Sequence, residues 1–340
     1  MKTKPKLYLH AGCGKTGTTA IQGFLYDNRN ILLNKGFLYP KTGLVEDGSH
    51  HQLATILCDI DMRNTNKFKI ISKESILEEL AQEIKEHESV LISSELFAQQ
   101  WSKLSDFFIN MWSEIYVIFY IRDRCDLAES LYNQWVKESI ETCPYIDEIH
   151  DIPKYYNYTD FLKGYSRLFG TDHIIVKRYG SLYFKNGSIY DDFLSILGIL
   201  SISDFKIPDK KENIKLSLES LEIIRLINSL NISKKTRERL KYYAKIFTTQ
   251  PTYSFNLISE NLRNEIDEYF AEEDEFILNN FFASNVCLFE KSKIEENSGR
   301  ESLNKHIYSS YIDFLYAKDK NTILESVSYT HLTLPTKRIV

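Results

Sequence analysis

From Ile115 to Ile121 the chain reads Ile-Tyr-Val-Ile-Phe-Tyr-Ile, apolar at every position. A short unbroken run of this kind predicts a strand buried on both faces. Three weaker runs read the same way: Lys6–Ala11, Ser89–Ser93 and His173–Lys177. Between them the apolar spacing changes to the helical period. Ile21, Phe24, Leu25 and Leu32 share one face of a predicted helix over 18–33. Further helices are expected at 50–58, from Ser75 to about His87 behind a Ser75-x-x-Glu78 capping box, at 96–111, 126–139 and 158–169. Gly36, Pro40, Gly43 and Gly48 mark a long loop. Strands alternating with helices imply an α/β fold whose parallel sheet is covered by helices on both faces. Beyond the fourth strand only helical patterns remain, at 188–198, 217–229, 233–247 and 258–282, so the C-terminal part is expected to be mainly helical.

Composition narrows the function classes. With 43% hydrophobic and 26% charged residues over 340 positions, the chain can bury a sizeable core. Its formal net charge of -5 argues against a nucleic-acid binder held by a whole-surface positive field, while leaving room for a local anion pocket. The five cysteines are odd in number, form no CxxC and have no histidine at zinc spacing, so neither a disulfide framework nor a metal is expected. No window approaches about 18 continuous apolar residues, the length that would suggest a transmembrane segment. These features together predict a soluble, cytoplasmic protein.

The chemistry concentrates in His10-Ala-Gly-Cys-Gly-Lys-Thr-Gly-Thr-Thr19, between the first strand and the first helix. Glycines there let successive N–H groups turn inward, and the helix N-terminus adds partial positive charge. Lys15 adds a full charge, and Thr16, Thr18 and Thr19 add hydroxyl donors. The result is a nest for phosphate or sulfate. Gly12-x-Gly14-x-x-Gly17 matches the dinucleotide fingerprint, but positions 37–40 are Phe-Leu-Tyr-Pro, without the ribose-binding acid expected about twenty residues on. The Walker A order is not met either, because Lys15 precedes Gly17.

The segment His-x-Gly-x-x-Lys-Thr-Gly-Thr-Thr-x-Ile-Gln, His10 to Gln22, resembles the 5′-phosphosulfate loop of sulfotransferases that use 3′-phosphoadenosine 5′-phosphosulfate (PAPS), in their bacterial carbohydrate-type branch. The resemblance implies a P-loop-like sheet and assigns Gly14, Lys15, Thr16, Gly17, Thr18 and Thr19 to the donor. A second anion site is then needed for the 3′-phosphate. Arg122 follows the most apolar strand at the edge where parallel sheets bind ligands, and Ser130 follows inside the next helix. Arg122-Asp123 with Ser130 and Tyr132 resembles the family's 3′-phosphate motif, except that Arg124 replaces its usual proline.

Transfer to a hydroxyl needs a base for the acceptor proton and a cation for the departing phosphate oxygen. Lys15 suits the second role. Glu95, at the end of the strand Ser89–Ser93, stands where the resembling family carries its base, although a first-turn acid capping the next helix explains it as well. His50 and His51 are expected beside the acceptor, with a packed histidine as the alternative. Arg178, after the fourth strand, suits an anion or a surface ion pair.

The expected protein is therefore a PAPS-dependent sulfotransferase, releasing adenosine 3′,5′-bisphosphate (PAP) and acting on a hydroxyl, or less readily an amine, of a carbohydrate or glycoconjugate. The alternatives are a P-loop nucleotide-dependent kinase and a non-catalytic nucleotide- or sugar-binding module. Residues 1–285 are expected to form the catalytic domain, with a helical cover from about residue 200. A polar extension at 286–326 and a non-native tail at 327–340 follow.

Overall fold

The computed structural model describes residues 3–60, 71–138, 157–208, 216–247, 258–282, 287–290, 305–319 and 321. The chain forms two compact units, one of residues 1–123, 156–212 and 269–290, the other of residues 124–155, 213–268 and 291–340.

The first unit is built on five parallel strands: β1 (Lys6–His10), β2 (Phe37–Leu38), β3 (Ser89–Ser93), β4 (Glu114–Ile121) and β5 (Ile174–Arg178). Their order in the sheet is β2-β3-β1-β4-β5, placing β1 at the centre. His10 pairs with Ser93 on one side and Ile118 on the other. β1 and β3 therefore end level, whereas β4 continues past Ile118 to Ile121. At about 3.3 Å per residue, Arg122 leaves the sheet roughly 10 Å beyond the loop of β1. β2 has only two residues, too few for any pattern to show, and it pairs with Ser89 and Val90 of β3.

Alternation along β4 supplies both faces of the core. Ile118 and Tyr120 pack with Leu91 of β3, with Ile21, Phe24 and Leu25 of α1 (Thr18–Asp27) and with Phe193. On the opposite face the ring of Phe119 lies 4.8 Å from Phe161 and 5.5 Å from Tyr165, both on the helix Tyr158–Phe169. The predicted α/β sheet with helices on both faces is thus present.

Several helices differ from the sequence pattern, each through a side chain that competes for the backbone. The helix expected over 18–33 is two, α1 and α2 (Arg29–Asn34). Asn28 between them has non-helical angles, and its amide bonds Lys206 in both directions, at 2.9 Å to the carbonyl and 2.7 Å from the N–H. α3 spans His51–Leu57. α4 spans Lys73–Ile84 and is capped by Ser72, not Ser75: the Ser72 hydroxyl accepts the Ser75 N–H at 3.1 Å. The long helix expected at 96–111 is replaced by single turns at Glu95–Phe97 and Trp101–Lys103 and by the short α5 (Asp106–Ile109). Ser94 and Ser105 each accept a backbone N–H there, starting new turns in place of continuing one. α7 (Tyr158–Phe169) and α8 (Ile189–Ile196) follow α6 (Arg124–Lys137) within two residues of their expected bounds.

The second unit is helical among its described residues: α6, α9 (Leu218–Ser229), α10 (Lys234–Phe247), α11 (Glu260–Tyr269) and α13 (Lys305–Lys318). Asn228 on α9 donates to the Val136 carbonyl on α6 at 2.8 Å, and Tyr311 on α13 donates to Leu240 on α10 at 2.6 Å. The helix expected at 258–282 is divided at Phe270 into α11 and α12 (Ala271–Phe281), where the chain passes between the two units. The linker expected at 295–299 and the tail 327–340 lie outside the described residues. No described helix is long and apolar enough to cross a membrane.

Candidate functional site

The loop after β1 carries unusual backbone angles. Lys15 has φ 66° and Gly17 φ 77°, both left-handed, and Gly17 is the N-cap of α1. A Cβ at Gly17 would lie 2.5 Å from Ile189 Cδ1 and 2.9 Å from Tyr179 Cε2, so glycine is required twice over. Left-handed angles cost a lysine free energy that the surrounding structure must offset. Part of that restraint is visible. Thr16 Oγ1 donates to the Cys13 carbonyl at 2.5 Å, closing the turn. Thr16 and Thr18 are buried, Thr19 is exposed, and Gly14 and Lys15 are half-buried.

Arg122 comes to this loop from the longer strand. Its Nη1 donates to the Lys15 carbonyl at 3.0 Å, and its guanidinium lies over the Tyr179 ring at 5.2 Å. Tyr158 Oη holds the backbone of Arg122 from both sides, accepting its N–H at 3.3 Å and donating to its carbonyl at 3.0 Å. Two motifs more than a hundred residues apart thus meet within one unit, as the extra length of β4 allows. Ser130 is half-buried on α6, in the second unit.

Glu95 leaves β3 at the same edge. One carboxylate oxygen accepts Gln22 Nε2 at 2.9 Å, and the other lies 3.4 Å from His51 Nε2. His51 Nδ1 lies 2.7 Å from the Ser94 hydroxyl. Burial pushes the Glu95 carboxyl upward, but the His51 ring, the Gln22 amide and its own backbone N–H outweigh it and hold it at about 2. Glu95 therefore stays an anion across the neutral range. The alternative of a first-turn acid is also met in part, since Glu95 opens the turn Glu95–Phe97.

His51 and Glu95 are brought together, and His50 is not with them. His50 is fully buried, accepts the Ser93 N–H at Nδ1 (3.1 Å) and stands 3.0 Å from the Pro40 carbonyl through Nε2. Because Nδ1 accepts, Nε2 carries the proton and donates. Burial lowers its pKa to about 4, so the ring is a neutral strut between the loop and β3. His10 is equally buried, with Nδ1 2.7 Å from Ser93 Oγ, and burial lowers it also to about 4. Arg178 lies over Tyr183 at 4.3 Å and donates to the Cys287 carbonyl at 3.2 Å, which ties it to residues 287–290. Among the described residues no group of three or more His, Cys, Asp or Glu side chains is arranged to hold a metal.

Sequence reasoning gave no role to Gln22, Tyr158 or Tyr179. Gln22 was discoverable: it lies four positions after Thr18 and so shares its face of α1. The two tyrosines lie at sites that only the fold brings to Arg122.

No protein-family model matches the chain, and no curated protein matches it. Among solved structures it is similar to a sulfotransferase from Alicyclobacillus acidocaldarius, at 16% identity and a TM-score of 0.41, over 66% of this chain and 95% of the other. It is also similar to a sulfotransferase domain from the curacin biosynthetic pathway, at 11% identity and a TM-score of 0.36, over 79% and 98% of the two chains. A third likeness is to the sulfotransferase domain of the Synechococcus PCC 7002 olefin synthase, at 14% identity and a TM-score of 0.32, over 79% and 96%.

Proposed function

We propose that the chain is a PAPS-dependent sulfotransferase acting on a hydroxyl of a carbohydrate or glycoconjugate. The observation that carries this reading is the loop itself: left-handed Lys15 and Gly17 at the centre of a parallel sheet, opening a helix and bonded to an arginine from the neighbouring strand. Backbone strain in a non-glycine residue at such a place is characteristic of a ligand clamp. The donor set of the first unit fits a doubly charged nucleotide: backbone N–H groups, Lys15 and the threonines for the 5′-phosphosulfate, and Arg122 for the 3′-phosphate.

In this reading Gly14–Thr19 hold the sulfuryl group in line with the acceptor oxygen. Glu95 takes the acceptor's O–H proton as that oxygen bonds to sulfur. The bond from sulfur to the 5′-phosphate oxygen breaks, leaving its electron pair on that oxygen, and Lys15 meets the charge that develops there. Glu95 is a weak base, but it is ionised throughout and needs only to accept a proton released by the transfer itself. No step assigned to these residues calls for a metal.

The test is ligand-induced stabilisation followed by transfer. PAP is expected to raise the melting temperature more than AMP or ATP with magnesium, by mass action on the native state. Labelled PAPS is then expected to label a carbohydrate acceptor. Glu95→Gln should keep the response to PAP and lose transfer by at least about a hundredfold. Equal stabilisation by PAP and AMP would remove the case for a 3′-phosphate site.

A further inference from the structure

Glu95 is gripped on both oxygens, and the two grips differ in kind. Gln22 Nε2 donates to one oxygen at 2.9 Å from α1, the helix opened by the phosphate loop. That bond cannot change with pH. His51 Nε2 faces the other oxygen at 3.4 Å from α3, and it can change. A carboxylate only accepts, so the nitrogen facing it carries a proton whether the ring is neutral or charged. In the neutral ring Nδ1 must then be the acceptor, and the Ser94 hydroxyl, 2.7 Å away, supplies the proton. Ser94 in turn accepts the Leu96 N–H at 3.2 Å, so its orientation is fixed by the backbone. The basic nitrogen of His51 is thus occupied by Ser94, leaving the exposed side of Glu95 as the place for an incoming proton.

We infer that His51 is a positioning residue for Glu95 and that its protonation state sets how readily Glu95 accepts the acceptor's proton. This inference rests on the sulfotransferase reading. With His51 neutral, Glu95 receives two neutral hydrogen bonds. With His51 charged, the same contact becomes an ion pair, the carboxylate is stabilised further, and it is a poorer base. Turnover is therefore expected to fall where the ring is charged.

Among the described residues, the other titratable groups packed near His51 are engaged elsewhere or neutral. Its chain neighbour His50 and, from β1, His10 are fully buried, and burial favours the neutral form of both. On α4, Glu83 is engaged by the N–H groups of Lys41 and Thr42 at 2.7 and 2.9 Å. Lys73, also on α4, lies at the far end of α3, 3.7 Å from Asp59 and bonded to the Leu57 carbonyl. Among the described residues, Glu95 is thus the carboxylate facing the ring.

The experiment joins a pH profile with a titration. His51→Gln keeps an amide N–H toward Glu95 and does not titrate; His51→Ala removes the donor. The kcat of the wild type with saturating PAPS is expected to show an acid limb. His51→Gln should stay within about tenfold of the wild type at high pH and lose that limb. His51→Ala should fall by more than about tenfold in kcat with PAP affinity unchanged. Independently of activity, the NMR signal of the His51 Nε2–H should move in Glu95→Gln, because the carboxylate oxygen that faces it at 3.4 Å is replaced. An unchanged acid limb in His51→Gln overturns the inference, as does an unmoved His51 Nε2–H signal in Glu95→Gln. Failure of the parent reading looks different: the wild type transfers no sulfuryl group at any pH while the His51 ring still responds by NMR to Glu95→Gln.

Discussion

Acidification should unfold this protein through two histidines that lie outside the proposed chemistry. His10 and His50 are both fully buried, and burial lowers each from 6.5 to about 4. A folded-state value below the unfolded one means that the unfolded chain binds more protons between those limits. Stability is therefore complete above about 6.5, declines as the pH falls, and is fully lost from these groups below about 4. At about 1.4 kcal/mol per pH unit, the drop from 6.5 to about 4 corresponds to roughly 3 kcal/mol for each ring. The geometry agrees with the sign for His50: a proton added at Nδ1 would meet the Ser93 N–H, which already donates to it at 3.1 Å. The assay is urea unfolding of wild type and His50→Gln at several pH values from 7 to 4. The variant should be less stable at pH 7 by about 1–3 kcal/mol, through the two backbone bonds it disturbs. Its stability should also depend less steeply on pH, by roughly 3 kcal/mol across the range. An equal slope in the two proteins would refute the account of His50 as a buried neutral strut. The Glu95 carboxylate does not confuse the measurement, because stability from its lowered pKa is lost only as pH falls from 4.5 toward about 2.

Three further outcomes concern the loop and the arginine bonded to it. Arg122→Ala is expected to weaken PAP binding by roughly 1.5–3 kcal/mol, read by calorimetry, as a charged hydrogen bond is lost; Lys15→Ala should depress kcat more than PAP affinity, because its partner charge grows during bond breaking. Gly17→Ala should lower the melting temperature and abolish PAP stabilisation, since the new Cβ would meet Ile189 and Tyr179 at 2.5 and 2.9 Å; a PAP response equal to wild type would show that the loop does not need its left-handed turn.

Local pattern was enough for some of this protein and silent on the rest. β3, β4 and α7 could be read within a residue, because a buried strand must be apolar throughout and a helix on a sheet must repeat its apolar face. The loop after β1 stands out in the sequence for a similar reason: its glycines, lysine and threonines lie within one short segment, and a loop's chemistry is local. The breaks in the long helices were not legible. Asn28 splits one helix by bonding Lys206, a partner distant in sequence, and Phe270 lies where the chain changes unit. The roles of the two adjacent histidines were equally hidden. His50 and His51 differ by one position, yet one faces β3 and the Pro40 carbonyl while the other faces Ser94 and Glu95. Neighbouring residues at a helix start point in different directions, and what each meets depends on strands forty residues away. Composition carries no trace of that. The sheet register decided it, by ending β1 and β3 level so that Gln22, His51 and Glu95 converge at one edge.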